Sequence, residues 1–337
     1  MDAAAHVAAE VAARYGRFAR DEAPGRSDLY AEWAAGVATD ATSSTGSVTG
    51  ILGRIPATHR QPPLVFAVTR LLGAPESPYR DWAAWLVAHA DAVVAECSAR
   101  SLQTNEPLRC AALLPALSGI EGPIALLEVG ASAGLCLYPD RYSYRYRGGP
   151  DLDPADGASA VVLESAMHGG PPLRMPDVVW RAGIDLEPLD AADADDRRFL
   201  TSLVWPGEEG RAARIEAALD LAAADPPLLV RGDATAPDAL AALAARAPAG
   251  ATLVVTTPGV LPHIPRAGRE RLREAIAGLD AAWVSIDPPD LPLPGVPAVD
   301  AARWGGFVLR RDGVALAAVD PLGAFVEWRG GAAGVAR

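Results

Sequence analysis

Short apolar runs alternate with helical segments after about residue 120. The apolar runs, each bounded by turn residues, lie at residues 125–129, 178–181, 228–230, 252–256 and 282–286. Apolar residues recur at helical spacing in the segments at 197–204, 211–223, 238–247 and 266–279. Strand, helix, strand alternation favours parallel pairing with right-handed crossovers. Two further runs, 306–310 and 314–319, flank Arg311-Asp312-Gly313 and predict a terminal antiparallel hairpin on a mainly parallel α/β sheet.

The first third of the chain has a different pattern. Its apolar residues follow helical spacing in alanine-rich segments separated mostly by proline or glycine, at residues 3–19, 28–38, 62–72, 79–97 and 107–117. This pattern predicts an N-terminal helical region, a bundle or a cap, over residues 1–120. The α/β domain is then expected at 121–337.

Composition excludes several classes of protein. With 337 residues, 50% of them hydrophobic, the chain is long enough to bury a sizeable core. A net charge of -12 disfavours nucleic acid as a partner.

No apolar run approaches the roughly 20 residues that cross a bilayer. The charged N-terminus is also unlike a signal peptide. We therefore expect a cytoplasmic protein with no membrane partner. Three cysteines without CxxC spacing and five scattered histidines predict neither disulfides nor a metal site. The sequence does not indicate the oligomeric state.

The segment LLEVGASAGL, residues 126–135, combines a buried strand with a loop cornered by two glycines. Gly130 permits a sharp exit from the strand, and Gly134 permits close packing after the loop. Ligands of open α/β sheets bind at the carboxyl ends of strands, which favours a binding loop that includes Ser132. GASAG lacks the middle glycine of GxGxxG and the lysine of a Walker loop, so a plain tight turn is the alternative.

Three acidic residues lie inside predicted strands or at their ends. Glu128 lies inside the first strand, where a carboxylate is costly unless it is paired or hydrogen-bonded. Asp185 ends VVWRAGID, and Asp233 ends LLVRGD. Carboxylates there suit a ribose diol and an adenine amino group, because both present hydrogen-bond donors. For each aspartate the alternative is a helix N-cap or a turn.

These features together resemble the class I S-adenosylmethionine-dependent methyltransferases, which implies a Rossmann-like, doubly wound sheet. More closely, five segments look like a bacterial family catalogued as domain of unknown function 2332: QTNEPLRCAALLPAL, LLEVGASAGLCLYPDRYSY, WRAGIDLEPLD, LVWPG and VRGD. The chain departs from that family in TTPGVLPHIP, where members usually have a His-Ser pair, at Ile286-Asp287, where they tend to have asparagine and glutamate, and at Cys136, where asparagine is common.

Candidate residues for chemistry lie at other strand ends and before the first strand. His263 and Asp287 are the candidate bases, although His263 between prolines is equally typical of a plain loop. Four polar residues in succession and an arginine one turn later predict a cleft lined by Gln103, Asn105, Glu106 and Arg109. The alternative is that Thr104 or Asn105 caps the following helix. Tyrosines at 142, 144 and 146 predict a strand face, and core packing with surface tyrosines is favoured over a substrate wall.

The hypothesis that follows is an S-adenosylmethionine-dependent methyltransferase acting on a small molecule. Its cofactor residues would be Glu128, Gly130, Ser132, Gly134, Asp185 and Asp233. A non-catalytic Rossmann-like binding protein is the main alternative. A serine hydrolase is a lesser one, because Ser132, Asp233 and His263 follow the chain order of a nucleophile-elbow triad. An NAD-dependent oxidoreductase is disfavoured, because it needs an acid about 20 residues after the loop, whereas the strand-end Asp185 lies much further along the chain.

Overall fold

The computed structural model describes residues 3–40, 47–293 and 295–330. The chain forms two compact units. A helical unit comprises Met1–Thr104 and Asp193–Glu216, and an α/β unit comprises Asn105–Ala192 and Ala217–Arg337. The helical unit therefore includes a segment from the middle of the chain. The sequence-based division near residue 120 stays a prediction.

Helices and strands of the described residues are numbered here in chain order. The helices are α1 (Ala3–Asp21), α2 (Asp28–Thr39), α3 (Val48–Gly53), α4 (Pro62–Leu71), α5 (Tyr79–Ala88), α6 (Ala90–Ala99), α7 (Arg109–Leu117), α8 (Ala194–Ser202), α9 (Arg211–Ala224), α10 (Ala239–Ala244), α11 (Arg266–Ala277) and α12 (Ala301–Trp304). The strands are β1 (Pro123–Val129), β2 (Ser143–Arg147), β3 (Asp151–Leu152), β4 (Val162–His168), β5 (Asp177–Asp185), β6 (Leu228–Arg231), β7 (Thr252–Pro258), β8 (Ala281–Asp287), β9 (Phe307–Arg311), β10 (Val314–Val319) and β11 (Phe325–Trp328). Among these helices none has the length and hydropathy that a membrane crossing requires.

An aromatic cluster forms the core of the helical unit. Phe66 of α4 lies at its centre, with ring centroids 4.9–6.2 Å from those of Tyr15, Phe18, Tyr30, Trp33 and Trp82. The inserted segment joins the same cluster, because the Trp205 ring lies 5.2 Å from that of Phe18. Arg70 also ties this segment to α4, since its Nη1 donates to the carbonyl oxygens of Ser202 at 3.0 Å and Val204 at 2.8 Å.

Removing the central ring should destabilise the helical unit. Phe66 is fully buried, and truncating a buried phenylalanine costs about 3–5 kcal/mol. We expect Phe66→Ala to lower the free energy of unfolding by that amount in urea denaturation followed by tryptophan fluorescence. Val87→Ala is the control, because Val87 is 47% exposed and should change the same quantity by less than about 0.5 kcal/mol. Equal effects of the two substitutions would contradict the central role of Phe66.

A single mixed sheet forms the centre of the α/β unit, with the strand order β3-β2-β4-β11-β10-β9-β8-β7-β1-β5-β6. The strands β6, β5, β1, β7 and β8 pair in parallel. Antiparallel pairs are spread across the rest, at β8–β9, β9–β10, β10–β11 and β2–β3. The chain is thus an α/β protein with N-terminal helices and a mostly parallel sheet.

The predicted hairpin forms, but it does not close the sheet. β9 and β10 pair as expected, and β11, β4, β2 and β3 extend the sheet beyond them. The alternating tyrosines predicted the strand face of β2. The sequence prediction missed β4 and β11, because VLESAMH and FVEW contain no uninterrupted apolar run.

The parallel block places the candidate residues at one edge of the sheet. Leu127, Val129 and Val255 from its strands pack with Leu272 and Ile276 of α11 in a buried core. Since parallel strands present their carboxyl ends at the same edge, the residues that follow β1, β5, β6, β7 and β8 face one region.

Candidate functional site

The loop after β1 turns sharply at both glycines. Gly130 has a φ of 74° and Gly134 a φ of 75°, the left-handed conformation that glycine adopts without penalty. A Cβ on Gly130 would lie 2.5 Å from Cγ2 of Val260, and one on Gly134 would lie 2.9 Å from Cγ of Pro227. Backbone shape and packing therefore require both glycines. Their presence alone does not indicate a ligand.

Ser132, between the glycines, also has a left-handed backbone, with a φ of 53°. This conformation is unfavourable for a residue with a side chain. Three hydrogen bonds offset the cost. The Ser132 amide donates to Oδ2 of Asp185 at 2.8 Å, its carbonyl accepts from the Leu189 amide at 3.2 Å, and its hydroxyl accepts from Nδ2 of Asn105.

Asn105 holds the loop from the other side. Besides its bond to Ser132, its Oδ1 accepts from the Ala133 amide at 3.1 Å, and the side chain is buried. The predicted alternative of a helix cap at Thr104 or Asn105 is wrong. Helix α7 begins at Arg109, and Leu108 occupies the N-cap position without a side-chain hydrogen bond. Asn105 contacts the candidate loop instead.

The three acids lie at the ends of adjacent strands. Glu128 of β1 stands opposite Gly183 of β5, and Asp185 of β5 stands opposite Arg231 of β6, two residues before Asp233. The oxygens of Asp185 accept from the Ser132 amide and, at 2.8 Å, from the Glu187 amide. Asp233 is exposed, and its Oδ1 accepts from the Thr235 amide at 2.8 Å, which is the turn contact weighed as the alternative.

Glu128 is the buried acid of this group. It is 3% exposed, and its Oε2 has no hydrogen-bond partner among the residues that the structure describes. Burial raises the pKa of Glu128 well above its ordinary value, Cys136 and Asp185 raise it further, and the charge of Arg109 opposes the shift. A carboxyl oxygen buried without a donor is costly, so this position suits a ligand that brings one.

The polar segment before α7 contributes Glu106 and Arg109. Glu106 is 1% exposed, and its Oε1 accepts from the Leu108 amide at 3.0 Å. The guanidinium of Arg109 donates to the carbonyl oxygens of Pro258 at 3.1 Å and Pro321 at 2.9 Å. Arg109 thus links the end of β7 to the segment after β10. Gln103 belongs to the helical unit, so its place in a cleft stays a prediction.

The two candidate bases differ in their surroundings. His263 ends the 3-10 turn Leu261–His263 and is exposed. Partial burial of its ring and the charge of Arg109 lower its pKa. Asp287 ends β8, is 0% exposed, and neither of its carboxyl oxygens has a hydrogen-bond partner in the described part of the chain. Burial raises the pKa of Asp287 to about 7, and the neighbouring Ser285 hydroxyl and the charges of Arg310 and Arg269 act against the shift.

Sequence reasoning missed Arg310, a buried charge on β9, the strand next to that of Asp287. Arg310 is 3% exposed, and its Nε and Nη1 have no hydrogen-bond partner in residues 3–40, 47–293 and 295–330. The only sequence signal is a charged residue inside the strand FVLRR. The prediction for the three tyrosines holds in part, because they pack in the core but do not lie at the surface. Their hydroxyls are hydrogen-bonded to backbone carbonyl oxygens, and all three side chains are buried: Tyr142, Tyr144 and Tyr146.

A comparison with known families agrees with the resemblance carried by the five segments quoted in the sequence analysis. Residues 12–328 match the family model described as "Uncharacterized protein conserved in bacteria (DUF2332)". The chain therefore belongs to this bacterial family, and the match covers nearly its whole length. No curated protein and no solved structure matches the chain.

The raised pKa of Asp287 predicts a pH-dependent stability. The ordinary pKa of an aspartate is 3.8, and that of Asp287 is about 7. Between these values the folded protein holds a proton that the unfolded chain has released, so the free energy of unfolding falls as pH rises. From pH 5 to pH 8 we expect wild type to lose about 2–3 kcal/mol more than Asp287→Asn in urea denaturation.

The control for this experiment is Asp290→Asn, three residues further on. Asp290 is exposed, so that variant should show the same pH dependence as wild type. A wild-type loss equal to that of Asp287→Asn would show that Asp287 is not the group responsible.

Proposed function

We propose that this protein is an S-adenosylmethionine-dependent methyltransferase acting on a small molecule, and that its parallel block is a Rossmann-like fold. The observation that carries the proposal is the buried Glu128 at the base of a glycine-cornered loop, whose Oε2 finds no donor among the described residues. Asp185 and Asp233 follow on the next two parallel strands. Three acids at neighbouring strand ends favour a ligand rich in positive charge and hydrogen-bond donors.

S-adenosylmethionine fits these requirements, since it carries a sulfonium, an ammonium group, ribose hydroxyls and an adenine amino group. Asp185 uses two of its roughly four acceptor positions on backbone amides. The remaining positions are open to ribose hydroxyls. The next residue, Leu186, is 66% exposed and offers an apolar surface to an adenine ring.

When bound, S-adenosylmethionine would supply the methyl group. The protein would contribute mainly position, because an in-line displacement is accelerated by holding the acceptor in a near-attack geometry. Glu128 and Asp185 would orient the donor. Asp287 or His263 would take the proton that an alcohol or amine acceptor releases.

The substitution Glu128→Gln should weaken ligand binding without lowering the stability of the protein. The amide removes the ionisable group whose burial is costly, so the variant should be at least as stable as wild type in urea denaturation. It should bind S-adenosylhomocysteine at least about tenfold more weakly in isothermal titration, because a hydrogen bond to a charged group contributes about 1.5–3 kcal/mol. Glu164→Gln, a change at an exposed residue of β4, is the matched control. The absence of wild-type binding, or equal binding by Glu128→Gln, would overturn the proposal.

A binding protein without catalysis is distinguished by turnover. With S-adenosylmethionine bound, methyl transfer to any member of a metabolite panel, followed by mass spectrometry, favours the enzyme. Tight binding with no transfer to the panel favours the alternative, which the departures of this chain at residues 256–265 and 286–287 motivate.

A serine hydrolase is the second candidate, because the left-handed backbone of Ser132 is typical of a nucleophile on a strained turn. Its hydroxyl, however, contacts Asn105 and not a base, and Asp233 contacts its own turn. We therefore expect no labelling of wild type by a fluorophosphonate probe, as read by intact-mass spectrometry. Labelling that disappears in Ser132→Ala would favour the hydrolase instead.

A further inference from the structure

A cavity of about 410 Å³ lies beside the hairpin β9–β10, away from the loop after β1. Most of its lining comes from the proline-rich segment after β8. The apolar part of the lining includes Pro289, Leu291, Leu293, Val296 and Val299. Arg310 lines the same cavity and is its one buried charge among the described residues, since Arg266 and Asp290, which also line it, are exposed.

The sheet register explains why Arg310 points to this side. Arg310 of β9 stands directly opposite Ser285 of β8, and Asp287 stands opposite Val308. Opposite residues share a face, and residues two apart on a strand do so as well. Ser285, Asp287 and Arg310 therefore lie on one face of the sheet.

The guanidinium is buried without hydrogen bonds on two of its three nitrogens. Nε and Nη1 of Arg310 have no partner in the part of the chain that the structure describes. Asp287 is the nearby acid, but neither of its oxygens has a hydrogen-bond partner within the described ranges. A buried arginine is normally retained only with charge-assisted partners, and its planar fork matches a carboxylate or phosphate.

We propose that Arg310 binds the anionic group of a small organic acid, a carboxylate or a phosphate monoester, whose apolar body fills this cavity. Leucine, valine and proline side chains provide the apolar wall. As an identification of the methyl acceptor, this inference rests on the proposed function. As a binding site it stands by itself, because the cavity and Arg310 do not involve the loop after β1.

Binding is tested by isothermal titration of the full-length protein without S-adenosylmethionine. The probes are hexanoate, hexyl phosphate, hexanamide and acetate. Hexanoate or hexyl phosphate should bind at least about tenfold more tightly than hexanamide, which lacks the charge, and than acetate, which lacks the apolar chain. The comparison of the two hexyl anions decides between a carboxylate and a phosphate.

Arg310→Met should weaken binding of the preferred anion at least about thirtyfold, because removing one partner of a buried charge pair costs at least that factor. Arg303→Met makes the same change on α12, outside the cavity lining, where the side chain is 88% exposed, and should bind as wild type does. Val299→Asp adds a carboxylate to a half-buried position of the lining and should also weaken binding. This third variant tests the site even where Arg310→Met does not fold.

Equal affinity for hexanoate and hexanamide, or equal affinities of wild type and Arg310→Met for the hexyl anions, would overturn the inference. Arg310 would then be a structural residue paired only with Asp287. Anion binding without binding of S-adenosylhomocysteine would reject the proposed function and keep this site. Binding of S-adenosylhomocysteine without any anion binding would keep the proposed function and reject this site.

Discussion

The hydrogen bond from the Ser132 amide to Asp185 is the constraint on which the candidate site depends. It joins the loop after β1 to the end of β5, and the second oxygen of Asp185 fixes the next turn through Glu187. Asn105 closes the loop from the opposite side. Without these contacts, the left-handed backbone of Ser132 would be strained and uncompensated. With them, the loop is held in place before any ligand binds.

Three buried groups of the α/β unit that lack hydrogen-bond partners among the described residues lie on strands of the sheet, and two of them, Glu128 and Asp287, lie at or next to carboxyl ends. In the part of the chain that the structure describes, the buried acids Glu128 and Asp287 have oxygens that lack donors, and the buried Arg310 has two nitrogens that lack acceptors. Each of these costs stability, and a well-packed apolar side chain would not. Natural proteins place such costs at functional sites more often than elsewhere. The distribution of polar defects therefore supports function at this edge of the sheet, independently of any motif.

Local pattern predicted the parallel block but not the outer half of the sheet. The strands β1, β5, β6, β7 and β8 contain apolar runs and pair in parallel, with β6 at the edge of the sheet and the other four inside it. β4 reads VLESAMH, in which Glu164 is exposed and Leu163 and Ser165 are buried, so no run identifies it. Arg310 could not be predicted as a site residue for a different reason. Its position on the same face as Ser285 and Asp287 depends on the register between β8 and β9, which no local pattern specifies.

The sheet register places the two proposed sites on opposite faces of the sheet. Glu128 of β1 stands opposite Thr256 of β7, and Thr256 stands opposite Val284 of β8. Paired residues share a face and residues three apart on a strand do not, so Asp287 lies on the face opposite to that of Glu128. Arg310 stands opposite Ser285 and therefore shares the face of Asp287. A cofactor held from β1 and β5 and an organic acid held from β9 would thus meet only around the carboxyl end of β7. There the guanidinium of Arg109 binds the carbonyl oxygen of Pro258, and His263 follows in the next turn. The end of β7, and neither face of the sheet, is therefore where a single reaction centre would form.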